Sequence, residues 1–375
     1  MHKVLLLGAG KIGGAIAKLL AGTGDYDVRV ADVDERSLKR LSRIPRVKTV
    51  RMDVGRHQAL LGAMKGREIA IAACSYSVNP GIARAAKQAG LSYFDLTEDV
   101  ETTRVVRRVA AKAKRGQVFV SQCGLAPGFV SIAARHLSRQ FEKLDEVRMR
   151  VGALPMFPTN YMKYNLTWST DGLINEYGNP CEAVWEGKLI EVLPLEGLEH
   201  FSLDGVDYEA FNTSGGVGTL AETLEGKVRT LNYKTIRYRG HRNLIAFLMN
   251  ELRLNDWREE LKAILERAVP ITPQDVVLIF VTVTGWKDGH LTQITDARKV
   301  YHRELFGERW SAIQITTASS LCAVVDLFVQ GRLPERGFVK QEQVPLADFL
   351  ANRFGQYYAS SPQDVARLAP VVPQD

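Results

Sequence analysis

Three glycines, in Gly8-Ala9-Gly10-Lys11-Ile12-Gly13, stand directly after an apolar run at residues 4–7 and before an Ala-rich helical stretch at 15–20. That order builds a phosphate cradle: the first glycine permits a tight turn, the second a close backbone approach to a diphosphate, and the third close packing of helix on strand. N–H groups of the helix's first turn, those of Lys11 and Ile12 among them, face the anion with the positive end of the helix dipole behind them. Asp32 ends the next strand, about 20 residues on, where a carboxylate accepts hydrogen bonds from ribose hydroxyls and disfavours a 2′-phosphate. The expected cofactor is therefore NAD, with NADP the lesser candidate. Arg36 is either a cation within reach of a 2′-phosphate or a solvated helix residue. Asp53 borders the adenine or caps a turn. Ser75 and Tyr76 follow the fourth strand, and Cys123, Ala126 and Pro127 the sixth, all at carboxyl ends of strands, where open α/β sheets bind ligands. Cys74 reads as packing.

A second group lies downstream. If residues 228–239 form a strand, period-two geometry puts Thr235, Arg237 and Arg239, with His241 beyond them, on one face, and Lys234, Ile236 and Tyr238 on the other. Two guanidiniums sharing a face suit a carboxylate, whose oxygens accept their paired N–H bonds; a solvated face with ion pairs is the plainer alternative. Upstream, Asn212-Thr213-Ser214-Gly215-Gly216-Val217-Gly218 is a hydroxyl- and glycine-rich loop able to offer N–H groups to an anion, although no Lys-Ser/Thr closes it as a P-loop. Tyr164, Trp168 and Asp171 mix aromatic and charged groups beside a helical stretch.

The elements that must position these groups follow from periodicity. Runs at 4–7, 28–31, 47–52, 69–73, 93–96 and 118–121 alternate with helix-length segments, the pattern of a doubly wound parallel sheet. After Pro127 the strands lengthen, at 146–151, 228–239, 276–284 and 291–301. The Trp286-Lys287-Asp288-Gly289 connection between the last two predicts a hairpin, hence a second α/β domain with a mixed or antiparallel sheet. Helices are expected at 241–254, 256–269 and 316–329. The division expected is 1–128 for the Rossmann domain, 129–319 for substrate binding and dimerisation, and 320–375 returning to the Rossmann domain through the segment 345–354.

Composition narrows the class. With 46% hydrophobic and 24% charged residues the chain has a globular balance and no disordered tract. Its net charge of +7 is spread over helical stretches such as 104–114, with no basic stripe or groove-reading motif, so nucleic acid is not expected as a partner. No run approaching the roughly 18 apolar residues of a membrane span is expected, nor a signal-peptide core. Cys74, Cys123, Cys181 and Cys322 form no CxxC or zinc spacing, which fits a reduced cytoplasmic setting without a metal site.

The motifs GAGKIGG with Ala31 to Asp34, CGLAPG at 123–128, YNLTWSTDGL at 164–173, EAFNTSGG at 209–216 and YKTIRYRGH at 233–241 resemble saccharopine dehydrogenase-like proteins over nearly the whole chain, and among them the lysine 6-dehydrogenases. Asn165 departs from the saccharopine reductases, in which a Lys commonly follows the tyrosine matching Tyr164. The resemblance implies a split Rossmann domain, a homodimer, and oxidation of a carbon–nitrogen bond in a lysine-like amino acid. In that chemistry the ε-amine must lose a proton. His241 is expected to accept it and Asp171 to steer the ammonium; Arg237 and Arg239 hold the α-carboxylate, and Tyr164, Trp168, Thr213 and Ser214 line the pocket. Each residue has a structural alternative: His241 and Asp171 as helix caps, Trp168 as core. Lys163 and Lys234 read as surface charges sooner than as Schiff-base lysines. The competing functions are a saccharopine dehydrogenase, which releases or condenses glutamate, and a nonenzymatic NAD-sensing Rossmann protein.

Overall fold

Val4, Leu5, Leu6 and Leu7 are all fully buried, so both faces of their strand must be covered, as in a parallel sheet flanked by helices. In the computed structural model, which describes residues 1–359, they lie in β1 (His2–Leu7). There follow α1 (Lys11–Gly22), β2 (Tyr26–Asp32), α2 (Glu35–Leu41), β3 (Val47–Arg51), α3 (His57–Met64), β4 (Ile69–Ala72), α4 (Asn79–Ala89), β5 (Ser92–Asp95), α5 (Val100–Ala110) and β6 (Val118–Val120). The strands pair in parallel in the order Gly337–Phe338, β6, β5, β4, β1, β2, β3. The chain runs outward from β1 through β3 and then returns to the other side of β1 with β4. The carboxyl ends of β1 and β4 thus flank the switch point where such sheets bind ligands.

Two compact units divide the molecule, Met1–Phe129 with the described residues from Thr316 onward, and Val130–Ile315. In the second, α6 (Phe129–Ser138), β7 (Lys143–Pro155), α7 (Thr170–Gly178), β8 (Cys181–Trp185), β9 (Lys188–Val192), β10 (Glu199–Leu203), β11 (Val206–Asn212), α8 (Leu220–Leu224), β12 (Thr230–Tyr238), α9 (His241–Ala246), α10 (Arg258–Ala268), β13 (Asp275–Lys287) and β14 (His290–Tyr301) build a mixed sheet ordered β10, β11, β12, β7, β13, β14. Only β7 and β12 pair in parallel on this path. The β13–β14 hairpin turns on Asp288 and Gly289, both at positive φ, as the two-residue turn requires. On the helical side, Leu173, Tyr177, Phe211, Ile245, Met249, Leu261 and Leu265 form one buried cluster; each large apolar side chain contributes about 1.5–3 kcal/mol by leaving water.

Two expectations change. The helix expected over 241–254 is α9 followed by a π-helical turn, Phe247–Glu251, in which Leu252 N–H donates to Phe247 C=O. The final long helix, α11 (Ala312–Val329), is by length and composition apolar enough to cross a membrane, against the expectation that no run approached that size. Most of it is buried inside the protein, with Asp326 held by Tyr26, Gln330, Asn352 and Arg353, so the same apolarity makes a core helix here. After it, α12 (Leu346–Ala351) sets Phe349 against Phe129, 5.3 Å between ring centres.

Candidate functional site

In the first unit, a Cβ on Gly8 (φ +106°) would lie 2.4 Å from the Ala73 carbonyl oxygen, and one on Gly13 would lie 2.0 Å from that of Gly8. These two glycines are required by the protein's own packing. A Cβ on Gly10 would meet nothing within 4 Å, so here the glycine keeps space clear for something other than protein. Gly10 is also the N-cap of α1, where no side chain caps the helix, leaving the first-turn N–H groups available to an anion. The loop therefore fits the diphosphate of a dinucleotide.

Asp32 does two jobs at once. Its Oδ2 accepts from Ala9 N–H at 2.6 Å and its Oδ1 from Asp34 N–H at 2.9 Å, so the carboxylate expected to meet the ribose also fixes the glycine loop. Arg40 reaches the same loop, donating to Ala9 C=O at 3.3 Å. Arg36 lies exposed in the first turn of α2, beside Asp34. Asp53 takes the plainer of its two readings: its Oδ1 caps a turn by accepting from Gly55 N–H at 2.9 Å. Ser75 and Tyr76 stand just beyond β4, where Ser75 Oγ meets Ser77 Oγ at 3.2 Å. Cys74 packs beneath Gly8, and burial pushes its thiol up to about 12.

Cys123 does not face a ligand. Its side chain is fully buried, with Sγ on Val120 C=O at 3.4 Å, and burial raises its thiol far above the ordinary range. Pro127 is buried and Ala126 only partly so. A residue the sequence reading passed over, Asp95, closes β5. It is fully buried and accepts from Ser121 Oγ, Thr97 N–H and Gln122 N–H, and burial raises its carboxyl to about 6.

In the second unit, β12 alternates as expected. Lys234 on one face pairs with Glu199 at 2.6 Å, beside Arg150. Burial by itself raises the Glu199 pKa, but the hydrogen bonds and charges of Arg150 and Lys234 outweigh it and hold the carboxyl down to about 2. On the other face Thr235 meets Thr213, 2.8 Å between hydroxyls, and Arg237 is 3% exposed. Arg237 lies with its guanidinium carbon 4.9 Å from the centre of the Tyr164 ring and 5.7 Å from that of Tyr177. Its Nε donates to Tyr177 Oη at 2.8 Å and its Nη1 to Ile236 C=O at 2.9 Å. Among the described residues no carboxylate lies within 4.0 Å of it. Glu176, buried on α7, acts on it only at longer range.

Arg239 does not share this setting. It follows the end of β12, half-exposed, and pairs with Asp207 at 3.6 Å, so strand alternation cannot bring the two guanidiniums together. Asp171 is likewise elsewhere, on the exposed side of α7 with Lys262 of α10 at 2.8 Å. His241 is in the cluster, with both ring nitrogens engaged. It is 1% exposed, its Nδ1 lies 2.9 Å from Met162 C=O and its Nε2 3.1 Å from Tyr177 Oη. Burial first, then the charge of Arg237, lower its pKa to about 3, so it stays neutral near pH 7. The glycine loop after β11 is buried as well: Ser214 N–H donates to Glu176 C=O, and a Cβ on Gly216 would lie 2.2 Å from the Tyr233 ring. Gly216 thus serves packing.

Tyr164 Oη, Asn165 Oδ1 and Thr167 Oγ1 are all buried without a hydrogen-bond partner. Thr167 and Trp168 approach the Tyr164 hydroxyl without meeting it in hydrogen-bond geometry. Buried polar atoms of this kind ask for a partner, and so does a guanidinium taken out of water without a carboxylate in ion-pair range. Tyr177, which the sequence reading missed, sits on the buried stripe Thr170, Leu173, Ile174, Tyr177 of α7. The signal there was its hydroxyl, since a buried tyrosine needs a partner for its O–H.

Comparison with known proteins completes the description. Residues 4–120 match the family model described as the saccharopine dehydrogenase NADP binding domain, and residues 124–356 that of the saccharopine dehydrogenase C-terminal domain. The mitochondrial alpha-aminoadipic semialdehyde synthase of Mus musculus is 19% identical over 372 residues, covering 96% of this chain and 37% of its own length. The saccharopine dehydrogenase (NADP(+), L-glutamate-forming) of Schizosaccharomyces pombe is 21% identical, covering 69% of this chain and 60% of its own. The chain thus spans less than two thirds of the length of both relatives. Among solved structures, the apo L-Glu-forming saccharopine dehydrogenase of Saccharomyces cerevisiae superposes with a TM-score of 0.78 at 16% identity, covering 96% of each chain.

Proposed function

The chain belongs to the saccharopine dehydrogenase family of oxidoreductases, and on that premise we propose that it oxidises the ε-carbon–nitrogen bond of L-lysine with NAD, as a lysine 6-dehydrogenase. The observation that carries the substrate class is Arg237, a buried cation with no carboxylate beside it. A substrate carboxylate supplies the missing anion, accepting a charge-assisted hydrogen bond from the guanidinium. Of the basic groups along β12 and just after it, Lys234 and Arg239 already have acidic partners. Arg237, the fully buried guanidinium of β12 that lacks such a partner, provides for one carboxylate, which favours lysine over saccharopine with its three.

The glycine loop and Asp32 would hold the dinucleotide, which would supply the hydride acceptor for the ε-carbon. In balance, the protonated amine, water and oxidised cofactor give the aldehyde, ammonium, reduced cofactor and one proton. The residues of this chain bind and orient. Arg237 holds the α-carboxylate, while Asn165 Oδ1 and the hydroxyls of Tyr164 and Thr167 offer unfilled partners to polar groups of the substrate. His241 stays neutral throughout, so the amine proton leaves to water and not to this ring. Asp32 supports NAD, since a 2′-phosphate would meet its charge; the exposed Arg36 is the group that would favour NADP instead. In this reading the first unit binds the dinucleotide, the second binds the amino acid, and the protein acts in the cytoplasm as a homodimer with a small-molecule substrate.

The second reading, a glutamate-releasing saccharopine dehydrogenase, is favoured by the names of the relatives. Product analysis separates the two. Incubation with L-lysine and, separately, with saccharopine should give one ammonia per reduced NAD from lysine; glutamate formed from saccharopine, with lysine inert, overturns the proposal.

A further inference from the structure

Met162 C=O can only accept, so His241 Nδ1, 2.9 Å away, must carry the proton toward it. In a neutral ring Nε2 is then an acceptor, and its neighbour at 3.1 Å, Tyr177 Oη, must donate its one proton there. That leaves the Tyr177 oxygen lone pairs to accept from Arg237 Nε–H at 2.8 Å. Every donor direction in the sequence Arg237, Tyr177, His241, Met162 is forced. A protonated His241 would break it, because His241 Nε2–H and Arg237 Nε–H would then both converge on a hydroxyl whose own proton had lost its acceptor.

We propose that Tyr177 and His241 are positioning residues for the substrate carboxylate: their directed hydrogen bonds fix the guanidinium of Arg237, with Nε and Nη1 committed, so that Nη2 is the nitrogen offered to substrate. This rests on the carboxylate reading of Arg237. The four residues come from β12, α7, α9 and the segment after β7 that also carries Tyr164, Asn165 and Thr167. The relay therefore ties the cation to the loop with the unfilled polar atoms. The charged and titratable groups facing His241 are Arg237, Tyr164 and Tyr177, with Glu176 acting on Arg237 from α7. Burial keeps both tyrosines protonated.

Two readouts test it. Nitrogen NMR of ¹⁵N-histidine-labelled protein should show His241 as the Nδ1–H tautomer, unchanged between pH 5 and 9; a titrating His241, or the Nε2–H tautomer, overturns the relay. Kinetics then compare L-lysine with 1,5-diaminopentane, which lacks the carboxylate. Tyr177→Phe should raise the KM for lysine roughly tenfold, as for one lost hydrogen bond to a charged group, with kcat and the cofactor KM little changed and diaminopentane unaffected. His241→Gln, which keeps an acceptor for Tyr177, should be milder than His241→Ala. Equal losses on both substrates would mean that Tyr177 only supports the fold, and overturn the positioning role. If Arg237→Met leaves the lysine preference intact, it is the carboxylate reading that fails, while the tautomer result still judges the relay.

Discussion

The glycine loop of the first unit and the Arg237 cluster of the second, the two anion sites of the proposed function, are built by opposite means. At the loop, charge is supplied by backbone N–H groups within six consecutive residues, and the second glycine leaves space that protein does not use. At the cluster, a full positive charge is buried among aromatic rings and carried by side chains from separate elements. A local site of the first kind tolerates variation elsewhere in the fold, whereas a site of the second kind depends on long-range packing to hold one cation still.

The sharpest way to break this comparison is at the glycines. Gly13→Ala forces a Cβ against the Gly8 carbonyl and should cost about 2–4 kcal/mol of stability along with cofactor binding. Gly10→Ala should leave the melting temperature unchanged yet weaken cofactor binding at least about tenfold, because its Cβ enters space meant for the diphosphate. Equal melting losses in both variants would remove the distinction between packing and ligand glycines. Calorimetry and thermal denaturation read the two effects separately.

Two acids with displaced pKa values, buried Asp95 and half-exposed Glu199, give the next largest contrast. The fold favours neutral Asp95, whose pKa is raised from 3.8 to about 6 by burial, so its contribution is fully present below about pH 3.8 and lost as pH rises through 6. A displacement of this size corresponds to about 3 kcal/mol. Glu199, held down to about 2 mainly by Arg150 and Lys234 against the opposing effect of burial, behaves in reverse: its contribution is present above about pH 4.5 and lost as pH falls toward 2. Denaturant unfolding from pH 3 to 7 should show a falling component that Asp95→Asn abolishes. A wild-type profile unaltered by that substitution contradicts the assignment.

Smaller effects refine the picture. Asp32→Ala should lower the preference for NAD over NADP by roughly tenfold; because Asp32 also holds Ala9 N–H, NAD affinity should fall too, and unchanged kinetics with both cofactors would refute the ribose role. For lysine oxidation, kcat/KM should rise from pH 7 to 9 with no inflection near 6.5, since His241 does not titrate there.

The same contrast explains what was legible in the sequence. Strand runs and the glycine fingerprint are local, and β1 to β6 lie within two residues of their expected ends, whereas the edge strand Gly337–Phe338 was not expected. Strand alternation correctly set Arg237 opposite Lys234, yet it said nothing of where β12 stops, and Arg239 falls beyond that end onto Asp207. The type of His241 suggested a base because an exposed imidazole titrates near neutrality; its burial against Arg237 reverses that, and burial is set by α7 and the segment near Met162, distant in sequence. Asp171 looked suited to an ammonium, but α10 supplies Lys262 first. Tyr177 and Asp95 carried no motif at all, being visible only as polar groups in apolar surroundings.

The cation awaiting a carboxylate is tested most directly by Arg237→Met, through the ratio of kcat/KM for L-lysine to that for 1,5-diaminopentane. The wild type should prefer lysine by about a hundredfold or more, as for a buried charge-assisted pair. In the variant that preference should collapse toward unity, with apo stability within about 1 kcal/mol of wild type or higher, since an uncompensated buried charge has been removed. A ratio unchanged by the substitution, in a folded variant that still binds cofactor, would contradict the account.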